Sequence, residues 1–174
     1  MLEVEAKYRA DVSKVREALV SLGAVLLESV EEVDAYFNHP CRDFASTDEA
    51  LRVRRSRKGV EVSYKGPRMG GGAKTRLELT ASADGDVEAI LAALGFRKVA
   101  EVKKRREYYS YKSFTISLDE VEGLGQFVEI ELLVSSKDLV PEAERAIEGL
   151  AKELGLGERV DATYLELLLG RRLG

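Results

Sequence analysis

Glu3, Glu5 and Lys7 alternate along the first nine residues, Met1 to Arg9, with Val4, Ala6 and Tyr8 between them. In a strand, successive side chains point to opposite faces, so Glu3, Glu5, Lys7 and Arg9 share one side and the apolar residues the other. Two carboxylates two residues apart lie roughly 7 Å from each other in such a strand. Their repulsion is about 0.6 kcal/mol in water and rises to about 2 kcal/mol at a protein-like effective dielectric. Such a face is cheap in solvent and costly inside a fold unless cations lie between the acids. The same pattern recurs down the chain. One parity of successive strands carries Arg52 and Arg54; Ser63 and Lys65; Lys74, Arg76 and Glu78; Lys104 and Arg106; Ser117 and Asp119; Glu129 and Glu131. Acids and bases are segregated by strand. Hard carboxylates suit Mg²⁺ or Mn²⁺, and Arg and Lys suit phosphate oxygens, so the combined chemistry is that of an anion bound together with divalent metals.

The opposite parity is largely apolar: Leu51 and Val53, Val62 and Tyr64, Leu77 and Leu79, Ile116 and Leu118, then Val128, Ile130 and Leu132. Helices with apolar stripes are expected to cover that face, leaving the charged face either in solvent or folded around a cavity. A solvated face usually mixes in Thr, Gln, Asn and Ser, whereas here nearly every position is a full charge over seven strands. The enclosed reading predominates.

Three strand–helix units position these residues. The first runs from Glu3 to Arg9, then to a helix with Asp11 as N-cap, the stripe Val12, Val15, Leu19 and Leu22, and Gly23 as its stop. The second is Lys74 to Thr80, followed by a helix opened by Asp86, with Val87, Ile90, Leu91 and Leu94 before Gly95. The third is Gln126 to Leu132, then a helix with Pro141 in its first turn and Ile147, Leu150 and Leu154 before Gly155. Further strands are expected at Ala50–Arg55, Val60–Lys65, Val99–Tyr111 and Phe114–Asp119, the last two joined by a turn at Lys112-Ser113. A final helix is expected from Asp161, as its cap, to Leu169. The spacing predicts an α+β chain whose roughly eight, mostly antiparallel strands suit a small closed barrel with helices outside and an internal pseudo-repeat. The unit is too irregular in length for a solenoid.

Bulk properties agree with one domain. The chain has 174 residues, 33% charged and 45% hydrophobic, with a net charge of −4, which is globular and argues against a protein that coats nucleic acid. The single cysteine, Cys41, excludes an internal disulfide and a thiolate metal cluster. No stretch approaches membrane-spanning length, and a cytoplasmic monomer or homodimer is expected.

Glu3-x-Glu5-x-Lys7 resembles the ExExK signature of the CYTH superfamily, the triphosphate tunnel enzymes, which include class IV adenylyl cyclases, thiamine triphosphatases and inorganic triphosphatases. Alone it is a weak signal. The rest of the chain adds to it: Asp34-Ala35-Tyr36-Phe37-Asn38 before Leu51-Arg52-Val53-Arg54, then Lys65-Gly66-Pro67, Arg76-Leu77-Glu78 and Lys104-x-Arg106. Next come Leu118-Asp119-x-Val121-x-Gly123-Leu124-Gly125-x-Phe127-x-Glu129-x-Glu131 and Tyr164-Leu165-Glu166-Leu167-Leu168. The resemblance covers essentially the whole chain.

It implies an eight-stranded tunnel through one domain, residues 1–174, with a triphosphate such as ATP, tripolyphosphate or thiamine triphosphate inside. By position, Glu3, Glu5, Glu129 and Glu131, with Glu78 and Asp119 close by, would hold Mg²⁺ or Mn²⁺. Lys7, Arg52, Arg54, Lys65, Arg76, Lys104 and Arg106 would grip the phosphates, with Lys7, Glu5 and Asp119 central to catalysis. Thr80 stands where the family often has a further acid, which bears on a second metal. The Val121 to Phe127 stretch looks most like the class IV cyclase branch. Against that branch, the chain starts two residues before Glu3, without the longer His-containing leader of some cyclases. Triphosphate hydrolysis and non-catalytic triphosphate binding therefore stay open as alternatives.

Lys103 to Arg106 is a run of four bases, so a one-residue slip would exchange the pair that faces inward. Lys104 and Arg106 are chosen because Val102 and Tyr108 share their side. Gly70 to Thr75 imitates a phosphate-binding loop, but Ala73 replaces the required Gly and a strand follows instead of a helix. The loop of residues 66–72 reads instead as a lid, with Arg68 and Lys74 flanking it. His39 reads as a turn residue and Cys41 as an inert thiol. For Tyr36, Tyr64, Tyr108 and Tyr164, core packing is the safer reading than stacking on a base.

Overall fold

A computed structural model describes residues 2–68 and 74–170, with the backbone alone at 74 and 75. The tip of the expected lid, residues 69–73, lies outside the described residues, as does the strand-preceding part of the loop that imitates a phosphate cradle.

The strands are β1 (Leu2–Arg9), β2 (Val25–Asn38), β3 (Ala50–Ser56), β4 (Gly59–Lys65), β5 (Lys74–Arg76), β6 (Glu78–Ala83), β7 (Arg97–Tyr111), β8 (Phe114–Val121) and β9 (Gly125–Val134). All their pairings are antiparallel, in the order β5-β1-β9-β8-β7-β2-β3-β4-β6. The two ends of that order, β5 and β6, are separated along the chain only by Leu77. They are halves of one interrupted strand, and the eight resulting staves curl into a barrel. The expected strand from Lys74 to Thr80 is therefore interrupted at Leu77, whose carbonyl accepts a hydrogen bond from Gly66 N–H at 2.9 Å in continuation of the β4–β6 pairing.

The helices are α1 (Val12–Ser21), α2 (Val87–Ala93), α3 (Val140–Glu153) and α4 (Tyr164–Leu168), with a short 3₁₀ turn before α3. Asp11 caps α1 by accepting from Ser13 and Lys14 N–H, and Asp86 caps α2 by accepting from Ala89 N–H. Gly23, at φ +78°, ends the first helix in the left-handed conformation that a Cβ disfavours. The last helix is shorter than expected and is capped by Thr163, not Asp161. Thr163 and Glu166 form a reciprocal capping box, which fills two N–H groups where Asp161 would leave them open.

The main core lies between α1 and α3 and the outer face of β1, β8 and β9. Val4, Ala6, Leu19, Ile116, Val128, Ile130 and Ile147 are nearly inaccessible there. The third unit behaves as expected, with Pro141 in its first turn and Ile147 and Leu150 buried. The second departs from expectation. No residue of α2 is fully buried, and Ile90, Leu94, Leu77 and Leu79 are exposed. Only Val87 and Leu91 lean on the small cluster of Ala35, Phe37 and Val53.

Sequence patterning missed β2 as an element. Its start, Val25-Leu26-Leu27, does not alternate, and the doublet Glu31-Glu32 hides the parity. The strand nonetheless pairs with both β3 and β7. Among the described residues no helix is long and apolar enough to cross a membrane.

Candidate active site

Every stave contributes its charged parity to the inside of the barrel, and the register sets most bases beside acids. Lys7 lies opposite Glu129, Arg54 opposite Asp34, Lys104 opposite Glu32, Lys65 opposite Glu78 and Arg106 opposite Asp119. Cross-strand opposites of unlike charge stabilise a sheet, and like charges directly opposite destabilise it. One pair breaks the pattern: Glu5 stands opposite Glu131.

The barrel interior encloses a cavity of about 180 Å³. Seven bases line it, Lys7, Arg52, Arg54, Lys65, Arg76, Lys104 and Arg106, together with five carboxylates, Glu3, Glu5, Glu78, Glu129 and Glu131. The structure thus brings together every expected metal- or phosphate-binding residue except Asp119. Lys104 and Arg106 are buried while Lys103 and Arg105 face outward and are exposed, so the inward pair is the expected one.

Asp119 is on the inner face but does not reach the cavity: it is fully buried beneath Arg106 and Tyr164. Its carboxylate accepts a forked pair from the Arg106 guanidinium and a hydrogen bond from the Tyr164 hydroxyl. Arg106 also donates to Glu129, which lies 3.0 Å from Lys7 Nζ. Lys7 in turn sits 3.8 Å above the Tyr164 ring. Asp119 therefore orients two groups that do reach the cavity.

A second buried knot comes from residues that patterning did not assign to the site. Asp34 accepts from Arg54 Nε and Nη2 at 2.7 and 2.8 Å and from Lys104 Nζ at 3.0 Å. Glu32 lies 3.1 Å from Arg54 and 3.3 Å from Lys104 and accepts from the Tyr108 hydroxyl at 2.8 Å. In the sequence Asp34 stands out only as part of the Asp34 to Asn38 motif, and Glu32 carries no motif of its own. The even-numbered run Glu32, Asp34, Tyr36 was the available signal.

Tyr36, Tyr108 and Tyr164 line the cavity as well as packing. Tyr64 instead donates to Glu49. Tyr164 is delivered by the C-terminal segment, which is tied to β1 by Val160 N–H donating to Lys7 C=O at 2.7 Å. His39 is a turn residue: its Nδ1 accepts from Cys41 N–H and its ring packs on Phe44 and Phe96. Arg68, expected beside the lid, is held by Asp48 and Glu166.

The electrostatics divide the site in two. Burial opposes ionisation of Glu129 and Asp34, yet both carboxyls are held well below the usual range. Arg106, Lys7 and Lys104 do this for Glu129, and Lys104 and Arg54 for Asp34. At the other end, burial pushes Glu3 up to about 8, and Glu5, Glu78 and Glu131 add to the effect against Lys65. Glu131 is raised by burial and then by Glu5. Burial also lowers the Lys104 ammonium, with Arg106 next to it.

Crowded carboxylates that resist ionisation are short of positive charge. Their all-oxygen donor set fits Mg²⁺ or Mn²⁺. Among the described residues no three of them stand in a ready ligating arrangement. A cation would have to draw them together, leaving positions for water and phosphate oxygens, as Mg²⁺ prefers. Thr80, in place of a further acid, is exposed and shares a hydrogen bond with Ser63 at 3.3 Å.

The Asp34 knot sets an expected acid response. A depressed carboxyl stabilises the fold fully above its unfolded value, near 3.8, and that stability is lost as pH falls through and below it. Asp34→Asn should cost about 3–5 kcal/mol at pH 7, because Arg54 and Lys104 lose a buried partner. Urea unfolding of the variant should also change less between pH 5 and pH 3 than that of the unaltered protein.

A second cavity, of about 360 Å³, adjoins the first and shares Tyr36, Ala50, Arg76, Thr163 and Leu165 with it. Its walls include Phe37, Phe44, Leu51, Val99 and Leu169, with Asp43, Asp48, Glu49 and Glu166 among them.

The sequence profile of the CYTH domain matches residues 1–164. A curated relative from Methanocaldococcus jannaschii, named "Putative adenylate cyclase MJ0240", is 35% identical over 96% of this chain and 98% of its own. "Adenylate cyclase CyaB" of Aeromonas hydrophila is 34% identical over 88% of this chain and 81% of its own. Among solved structures, the PH1819 protein of Pyrococcus horikoshii OT3 superposes with a TM-score of 0.89 at 43% identity, over 98% of this chain and 99% of that one.

Proposed function

Since the chain belongs to the CYTH domain family, we propose that it is a divalent-metal-dependent enzyme acting on a triphosphate held inside the barrel, a class IV adenylyl cyclase-like catalyst that converts ATP to cyclic AMP and pyrophosphate. The observation that carries this reading is the cavity itself, where seven bases outnumber five carboxylates inside a closed sheet. Burying so many charges costs the fold a large desolvation penalty. A polyanion bound together with a cation gives the bases and the crowded acids further partners and offsets part of that penalty.

Arg52, Arg54, Lys104 and Arg106 are fixed by Ser63, Asp34, Glu32 and Asp119, so they are preorganised before substrate arrives. Preorganised donors are worth most where charge develops in the transition state. Lys7, held between Glu129 and Tyr164, supplies a further ammonium to the departing phosphates. Glu3, Glu5 and Glu131, with Glu78 and Glu129 beside them, would hold Mg²⁺ or Mn²⁺, which when bound neutralises phosphate charge and polarises the reacting phosphoryl group. In the cyclase reaction the ribose 3′-oxygen forms a bond to the α-phosphorus, the bond from that phosphorus to the bridging oxygen of the β-phosphate breaks, the 3′-hydroxyl proton passes to water and pyrophosphate leaves. The adjoining cavity, with apolar walls and carboxylate acceptors, suits a nucleoside and so supports ATP over an inorganic chain.

The test is to incubate the protein with ATP, tripolyphosphate and thiamine triphosphate, each with Mg²⁺ or Mn²⁺, and identify the products. Cyclic AMP with pyrophosphate is expected. Orthophosphate without cyclic AMP would replace the cyclase reading with a triphosphatase, and tight binding without turnover would leave a triphosphate-binding module.

A further inference from the structure

Beyond Arg54 and Tyr108 the barrel opens again. A separate cavity of about 310 Å³ has those two residues in its wall, and both also line the catalytic cavity. They are the partition between the two spaces. The partition is tied together by hydrogen bonds: Tyr108 donates to Glu32 at 2.8 Å, Arg54 Nη1 lies 3.5 Å from the Tyr108 hydroxyl, and Arg54 Nη2 lies 3.1 Å from Glu32. Glu32 is 4% exposed and faces the outer space.

The charge reverses across this partition. On the catalytic side bases outnumber acids. On the far side the wall carries Glu28, Glu32 and Glu61 against Lys58 and the shared Arg54. Lys58 is itself paired to Glu28. An anionic chain advancing past Arg54 would leave a cationic cage, displace an aromatic ring and meet a carboxylate that Lys104, Arg106 and Arg54 keep ionised against its burial.

We propose that Glu32, Tyr108 and Arg54 form a chain-length stop, which lets the phosphate chain enter as far as Arg54 and excludes further phosphates from the far side of the barrel. Glu32 and Tyr108 are then specificity-determining residues for the length of the polyphosphate. The proposal rests on the triphosphate reading of the cavity. The stop is electrostatic through Glu32 and steric through Tyr108, so each half can be removed separately.

The experiment is calorimetric titration of the full chain with inorganic chains of three, four and five phosphates, at fixed Mg²⁺ and ionic strength. In the unaltered protein, affinity should level off at three phosphates, with the five-to-three ratio within about threefold. In Glu32→Gln, which keeps an acceptor for the Tyr108 hydroxyl, and in Tyr108→Leu, the ratio should rise at least tenfold. The ratio is the readout because removing one carboxylate strengthens the binding of every anion. A ratio already above tenfold in the unaltered protein, or one unchanged in a folded Glu32→Gln, would overturn the stop and leave the triphosphate reading standing. If Tyr108→Leu does not fold, Glu32→Gln decides alone. Failure of the three-phosphate chain to bind the unaltered protein would overturn both.

Discussion

Arg106→Ala should lose triphosphate affinity by at least a hundredfold and should also unfold several kcal/mol more easily. The two losses have different origins. Arg106 reaches the cavity and would contact phosphate directly, with a fork geometry that a lysine cannot reproduce. It is also the shared partner of two buried carboxylates, Asp119 and Glu129. Removing it leaves Asp119 with the Tyr164 hydroxyl and Glu129 with Lys7. Breaking a buried ion pair on one side costs about 3–5 kcal/mol. The double variant Arg106→Met with Asp119→Asn should recover much of the stability, since neither group is then an unpaired charge, while affinity stays low. Urea unfolding and calorimetric titration with tripolyphosphate separate the two effects. Recovery of affinity along with stability would mean that Arg106 supports the fold without touching the ligand.

Glu5→Gln should have the opposite profile, with turnover lost and binding kept. Glu5 lies in the acidic end of the cavity, directly opposite Glu131 and on the same face as Glu3. Its charge is a liability to the metal-free fold, because it raises both neighbours. Neutralising it relieves that repulsion, so tripolyphosphate should bind in the absence of metal at least as tightly as before. With Mn²⁺ present, turnover should fall by about 10²–10³-fold, the usual scale for losing one electrostatic contributor to a transition state. Turnover within threefold of the unaltered protein would remove Glu5 from the metal site. Loss of metal-free binding would mean that the acidic end holds the fold and not the cation.

The inward face was legible in the sequence because strand parity is a strict period of two. Once Glu3, Glu5 and Lys7 are placed on one side, Arg52, Lys65, Arg76 and Glu129 follow from the same alternation, and the structure sets all of them around one cavity. Even the run of four bases resolved, because Val102 and Tyr108 fix the side of Lys104 and Arg106. What escaped was the set of buried acids that hold those bases in place. Glu32 and Asp34 sit on a strand whose alternation is broken at Glu31, and their role lies in contacts to β3 and β7 that are distant in sequence. The place of Asp119 behind Arg106 was equally hidden, since parity gives the face of a residue but not its depth. The break at Leu77 and the exposure of α2 depend on how the barrel closes, which no local period records.

The most direct test of the central claim is a crystal structure of the protein with tripolyphosphate and Mn²⁺, with the metal located by its anomalous scattering. Phosphate density is expected inside the barrel against Lys7, Arg52, Arg54, Lys104 and Arg106, with an anomalous peak among Glu3, Glu5 and Glu131. Phosphate bound to the outward Lys103 and Arg105 with the interior empty, at a concentration where calorimetry shows saturation, would contradict it.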